Sequence, residues 1–246
     1  AELETVTGFH DERLSAVKLS YSGQGSSVGS MEISATAASG GSITASDAIQ
    51  DGRRTVRMQS VDAGAVLRFL NIYPHMQGGR IGLALSGSGG KLTGQADARD
   101  FWVVNEPRLG SLVAATPTDG RRGQAGQVDG SRVYFERGFA AIEKQPGGLK
   151  LERGVLRGPT IGTTFQGTLY DADGNIAMTG TFMPAYGVNR IFGEIPLIGQ
   201  ILGNGRDRGL IGVTYRLTGK AAEPQLEVNP ISAIAPGIFR QIFEYR

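Results

Sequence analysis

Polar and apolar residues alternate one for one through stretch after stretch of this chain, beginning at Val17-Lys18-Leu19-Ser20-Tyr21, where the odd positions are apolar and the even ones polar. That period belongs to an extended strand with one face on a core and the other in water. The same parity runs through Met31/Ile33/Ala35, Val56/Met58, Ile81/Leu83/Leu85, Leu149/Leu151, Phe165/Gly167/Leu169, Ile176/Met178/Gly180/Phe182 and Ile211/Val213/Tyr215/Leu217. Between these strands stand turn sequences that need positive φ: Ser39-Gly40-Gly41, Gln50-Asp51-Gly52, Gly87-Ser88-Gly89-Gly90, Pro146-Gly147-Gly148 and Asp171 to Asn175. So close a spacing leaves no room for crossover helices, so the strands must connect as antiparallel neighbours. The 38 glycines among 246 residues follow no G-x-y period, so they punctuate short elements and do not build a collagen helix. The pattern predicts one elongated, mainly β, antiparallel domain over residues 1–246, with two to four short helices.

Three helical segments are predicted. Asp62 caps a stripe through Ala63, Val66, Leu67, Phe69 and Leu70, with a stop near Pro74. A second helix follows Pro107 through Leu109, Leu112 and Val113, and a third, broken by Pro236 and Gly237, follows Pro230. Residues 182–203 are of another kind: FMPAYGVNRIFGEIPLIGQILG carries only Arg190 and Glu194 as charges. Its prolines and glycines forbid one continuous spanning helix and predict a broken pair of short ones. Two readings stay open, a buried plug and an apolar surface facing lipid or a partner. The second makes Ile191, Phe192, Ile195, Leu197, Ile198, Ile201 and Leu202 a contact element, projecting from the sheet between strands that could pair as a hairpin without it.

Chemistry is sparse. With no cysteine there is no disulfide, no thiolate zinc site and no thiol nucleophile. The 25 basic against 23 acidic residues make too weak a balance for a nucleic-acid footprint, and the adjacent pairs Arg53-Arg54 and Arg121-Arg122 each sit beside glycine. Gly25-Ser26-Ser27-Val28-Gly29 satisfies G-x-S-x-G, but a nucleophile elbow needs a helix after the serine, and Met31 to Ala35 reads as strand. His10 and His75 have no partner at metal-ligand spacing; His75 is expected against the carbonyls that end the first helix. Asp97/Asp100 and Asp171/Asp173 could in principle do acid–base work or bind calcium, but Asp171/Asp173 sits in a glycine-terminated turn with no glutamate at EF-hand spacing, where turn chemistry is the expectation. No catalytic set, metal or cofactor is expected. Gly78-Gly79 and Gly147-Gly148 each read as a turn launching a strand, a faint internal echo. Ala1 is not a methionine and no signal or spanning segment is seen, so any targeting or anchoring segment is expected upstream.

Asp62 to Tyr73 followed by Gly78-Gly79-Arg80-Ile81 resembles the DAGAVLR…Y…GG segment of AsmA-like proteins of Gram-negative bacteria. A longer stretch resembles that family's C-terminal region: Gly147-Gly148, Gly158-Pro159, Phe165-Gly167-Leu169, Gly180 to Pro184, Ile195 to Gly199, Gly209 to Val213 and Pro224 to Pro230, in that order. The resemblance implies a long sheet curled into an apolar groove, in periplasmic proteins anchored in the inner membrane that carry phospholipid towards the outer membrane. On that reading Ile81, Leu83, Leu85, Phe165, Leu169, Ile211, Val213, Tyr215 and Leu217 line the groove. Phospholipid is then the ligand, with membrane contact and an outer-membrane or periplasmic protein partner, and no nucleic acid. The competing reading is a closed β-sandwich serving as a structural or outer-membrane assembly module, in which the apolar faces bury each other.

Overall fold

A computed structural model describes residues 1–24, 27–115, 129–184 and 213–229. The chain is mainly β, 70% strand. Its strands are β1 (Glu2–Thr7), β2 (Arg13–Gln24), β3 (Ser27–Ala37), β4 (Ser42–Gln50), β5 (Arg53–Ser60), β6 (Met76–Ser88), β7 (Lys91–Val104), β8 (Arg132–Gln145), β9 (Gly148–Arg157), β10 (Ile161–Tyr170), β11 (Asn175–Pro184), β12 (Val213–Lys220) and β13 (Glu223–Asn229). All thirteen form one sheet in sequence order, every neighbour antiparallel, open and not closed into a barrel. Among the described residues there is no second sheet to make a sandwich.

In such a meander successive connections fall at alternate ends, and here the two ends differ in kind. At the hairpin end the strands are joined by tight turns: Asp51-Gly52 and Gly89-Gly90 have positive φ at both residues, the geometry whose twist matches the strands it joins. At the opposite, helix end lie the short 3-10 turn Phe9–Asp11, α1 (Ala63–Phe69) between β5 and β6, and α2 (Pro107–Ala114) between β7 and β8. β11 and β12 do pair, with Phe182 opposite Val213, and β11 runs on to Pro184, so the first three residues of the apolar segment 182–203 are strand.

Both described helices start as the sequence requires. Asp62 accepts a 2.9 Å hydrogen bond from the Ala65 amide, and Glu106 caps α2 ahead of Pro107. α1 stops at Phe69, well before Pro74, because Asn71 takes a left-handed conformation (φ 54°) that ends the helix without proline's help. His75 is thereby carried past the helix carbonyls: its Nδ1 lies 3.0 Å from the Val104 carbonyl oxygen of β7, not against the helix end. Gly78-Gly79 is no turn either. It lies inside β6, where Gly79 (φ 81°) and Asp100 of β7 (φ 55°) both turn left-handed and kink the paired strands. Asp171 and Asn175 do form a turn, in which the Asp171 carboxylate accepts from the Asp173 and Asn175 amides. Ser27 opens β3 opposite Gln24, and strand follows it.

The core has two parts. Phe101, Val103, Val133, Phe135, Ile161, Phe182 and Val213 pack with Leu109 and Leu112 of α2 and Ala63 of α1. Leu14, Ala35, Ala37 and Ile43 pack with Ala65 and Val66 of α1. α1 thus sits between the halves of one sheet face and joins them at the helix end. Its docking is specified by Arg68, which donates to Glu12 (2.7 Å) and to the Met76 carbonyl (2.6 Å).

Candidate functional site: one apolar face of an open sheet

Directly opposed residues of antiparallel strands project from the same face, so the register assigns faces without ambiguity. One row runs Ala35, Ile43, Ser60, Ile81, Ala98, Gly138, Leu156, Thr163, Phe182, Val213 across ten strands. Four positions nearer the hairpin end, a second row runs Tyr21, Met31, Asp47, Val56, Leu85, Gly94, Ile142, Leu151, Gly167, Met178, Leu217, Leu226 from β2 to β13. Between them lie Leu83, opposite Met58 and Ala96, and the line Phe165, Gly180, Tyr215, Val228. Ile81, Leu83, Leu85, Phe165, Val213, Tyr215 and Leu217 are therefore on one face. Leu169 stands at a bulge, where β10 has one residue more than β9. Ile211 lies outside the described residues, as do Ile191, Phe192, Ile195, Leu197, Ile198, Ile201 and Leu202.

This face is graded from end to end. At the helix end it is core, with Phe182 and Val213 at 1% and 0% exposure. In the second row only Leu85 and Met178 are buried, and the other apolar side chains are half-buried or, at Tyr21, exposed. A hydrophobic surface in that state needs either a covering layer or an apolar ligand, and both described helices lie at the other end.

Aromatic rings lie flat on the sheet where it carries glycine. A Cβ added at Gly154 would come within 2.3 Å of the Phe165 ring, and one added at Gly180 within 2.5 Å of the Tyr215 ring. The Tyr215 hydroxyl reaches across β11 to Thr163 Oγ1 (3.1 Å) and donates to the Thr164 carbonyl (3.2 Å). Burial pushes its phenol pKa up, so it remains a neutral donor.

Two polar features interrupt the face near the hairpin end. Arg54 pairs with Asp47 through two hydrogen bonds, Nε to Oδ1 (2.8 Å) and Nη2 to Oδ2 (2.5 Å), and these raise its pKa further. Lys144 lies 5.8 Å from the Tyr170 ring centroid.

Sequence reading passed over a buried polar cluster at the helix end. Glu106, 8% exposed, accepts from the Tyr73 hydroxyl (2.9 Å) and from Arg108 Nε (2.5 Å) and Nη2 (2.9 Å). Burial pushes the Glu106 pKa up, but the Arg108 guanidinium and the Tyr73 hydroxyl outweigh it and leave it lowered. Tyr73 is driven far above the usual phenol range by burial and by the Glu106 charge. The cluster ties the start of α2 to the connection between α1 and β6, since both oxygens of the carboxylate are occupied within the fold. Its signal lay in Glu106-Pro107-Arg108, but the phenol partner comes from 33 residues away.

No helix among the described residues is long and apolar enough to cross a membrane, and no group of three or more histidine, aspartate or glutamate side chains there could hold a metal. No family model matches the chain, and no curated protein or solved structure matches it either.

Proposed function

We propose that this chain binds phospholipid by its acyl chains along the apolar face and passes it between the inner and outer membranes of a Gram-negative envelope. The observation that carries the reading is the twelve-strand row from Tyr21 to Leu226, apolar or glycine at every position but Asp47, whose charge Arg54 pairs, and half-buried over most of its length while the described helices lie at the other end. An acyl chain leaving a bilayer for water loses about 0.8 kcal/mol per CH₂, about 12 kcal/mol for sixteen carbons, and only a continuous apolar wall offsets such a term. Neighbouring strands are about 4.8 Å apart, so the row offers a path of about 50 Å across the sheet. The order of motifs that resembles AsmA-like proteins supports a periplasmic setting at the inner membrane. Residues 191–202 are then the segment that meets the outer membrane or a protein partner. Sliding along such a wall requires no cofactor, nucleotide or proton transfer.

Mass spectrometry of an organic extract of purified protein tests this: stoichiometric phospholipid supports it, and lipid-free protein from a lipid-replete host argues for a structural module. Photo-crosslinking side chains at Leu83, Leu151 and Leu217 should capture acyl chains, whereas Gln95, Glu152 and Arg216, on the opposite face, should not. Capture from the second set alone refutes the assignment.

A further inference from the structure

On the opposite, polar face, Arg80, Arg99, Arg137 and Arg157 of β6, β7, β8 and β9 are successive Cα partners. Like charges directly opposed in a sheet repel, and a face that only had to be wet would be better served by alternating signs. Three carboxylates hold the row together. Asp97 accepts from Arg99 Nε (3.0 Å) and Arg137 Nε (3.2 Å), Asp100 from Arg80 Nη2 (2.6 Å), and Glu136 lies 3.5 Å from Arg157. The left-handed kink at Gly79 and Asp100 makes this possible. Ala98 and Phe101 face the core, so two successive residues, Arg99 and Asp100, are both turned to the polar face.

Arg80, Arg99 and Arg137 stand against two carboxylates, Asp97 and Asp100, which leaves that stretch of the row positive. In Arg80, Arg99 and Arg137 the ion pair engages one nitrogen of a guanidinium that carries five N–H donors. The side chains of Arg80, Arg99 and Arg137 are 64%, 56% and 59% exposed. Beside them the surface opens into a recess of about 520 Å³, whose charged lining is Arg80 and Arg99 with Asp97, the carboxylate already engaged by Arg99 and Arg137, and whose floor includes Thr44, Gln59 and Gly82. Gly82 leaves it unfilled: among the described residues a Cβ there would touch nothing within 4 Å and would project into the recess.

We propose that this arginine ladder binds an anion carrying several linked phosphate groups. Opposed Cα atoms are about 5 Å apart, so the guanidiniums recur at that interval over about 15 Å. A single phosphate reaches one or two of them, whereas a chain of phosphates engages the row, each group meeting the planar fork that suits its oxygens. The ladder faces away from the apolar wall, so the site stands or falls independently of lipid binding there.

The test is calorimetric titration of the full chain with inorganic tripolyphosphate at low and at physiological salt. The expected result is one tripolyphosphate per chain, bound more tightly than orthophosphate and weakened by salt. Arg99→Gln with Arg137→Gln should cut the affinity about tenfold or more, with a smaller loss for the two lysine replacements, which keep charge but not the fork. Arg53→Gln, at the hairpin end, should change nothing. No binding of tripolyphosphate, orthophosphate binding as tightly, or an undiminished affinity in the folded double variant each overturns the proposal. Should the double variant lose its strand circular dichroism, Arg157→Gln at the end of the row carries the same comparison.

Discussion

The Tyr215 ring lies over Gly180, so close that a Cβ at Gly180 would meet its Cζ and hydroxyl at 2.5 Å and the Thr164 carbonyl oxygen at 2.1 Å. Glycine in mid-strand ordinarily weakens a sheet. Here it lets an aromatic side chain lie down across β11 and present a flat surface on the apolar face. Gly180→Ala should therefore destabilise, by about 1–3 kcal/mol, although alanine is the better strand residue, because the obstructing atom is backbone and cannot swing away. Tyr215→Phe keeps the ring and loses the bonds to Thr163 and Thr164, which should cost about 1 kcal/mol. Urea denaturation of both variants measures the order.

Acid should unfold the helix end through Glu106. Its folded pKa is lowered, so its contribution is fully present above the unfolded carboxylate value of about 4.3 and is lost as pH falls through the folded pKa. Tyr73 acts at the other extreme. Its folded pKa is raised, so its contribution holds below about pH 10 and is lost in stronger alkali. Glu106→Ala strips Arg108 and Tyr73 of their partner and should cost about 2–3 kcal/mol at neutral pH, less than a fully buried pair because Arg108 keeps 29% exposure. Glu106→Gln should flatten the acid limb of stability against pH. An unchanged limb would place the acid-sensitive group elsewhere.

The ion pair on the apolar face should matter little to stability. Arg54 is 50% exposed, so Asp47→Ala should cost less than about 1 kcal/mol in a chemical melt. A larger loss would mean that the pair fixes the hairpin between β4 and β5.

The face assignment was legible in the sequence because period-two alternation survives in Ile81-Gly82-Leu83-Ala84-Leu85 and Val213 to Leu217 whatever the strands pair with. β4 and β7 were harder to read. β4 puts Asp47 on the apolar face, and β7 lines that face with Gly94, Ala96 and Ala98, too small to signal alternation. The bulge at Leu169 and the kink at Gly79 and Asp100 depend on how neighbouring strands count against each other, which no single strand reveals. For the same reason the ladder escaped notice: its arginines stand 19, 38 and 20 residues apart, and only the register makes them neighbours.

A pair of glycines in the two helices tests how α1 is seated. Gly64 is the second residue of α1 and Gly110 the fourth of α2, helical positions where alanine is intrinsically better by up to about 1 kcal/mol. Among the described residues a Cβ at Gly110 would meet nothing within 4 Å, so Gly110→Ala should stabilise by about 0.5–1 kcal/mol. At Gly64 the same atom would lie 2.5 Å from the Met76 carbonyl oxygen and 3.0 Å from Arg68 Nη1. That carbonyl accepts from Arg68, so α1 cannot back away without breaking the bond that docks it on β6. The clash and the loss of a charge-assisted hydrogen bond, about 1.5–3 kcal/mol, outweigh the propensity gain. Gly64→Ala should lower the melting temperature while Gly110→Ala raises it. Two increases of equal size would mean that helix propensity alone governs both sites and that α1 is not held at Met76.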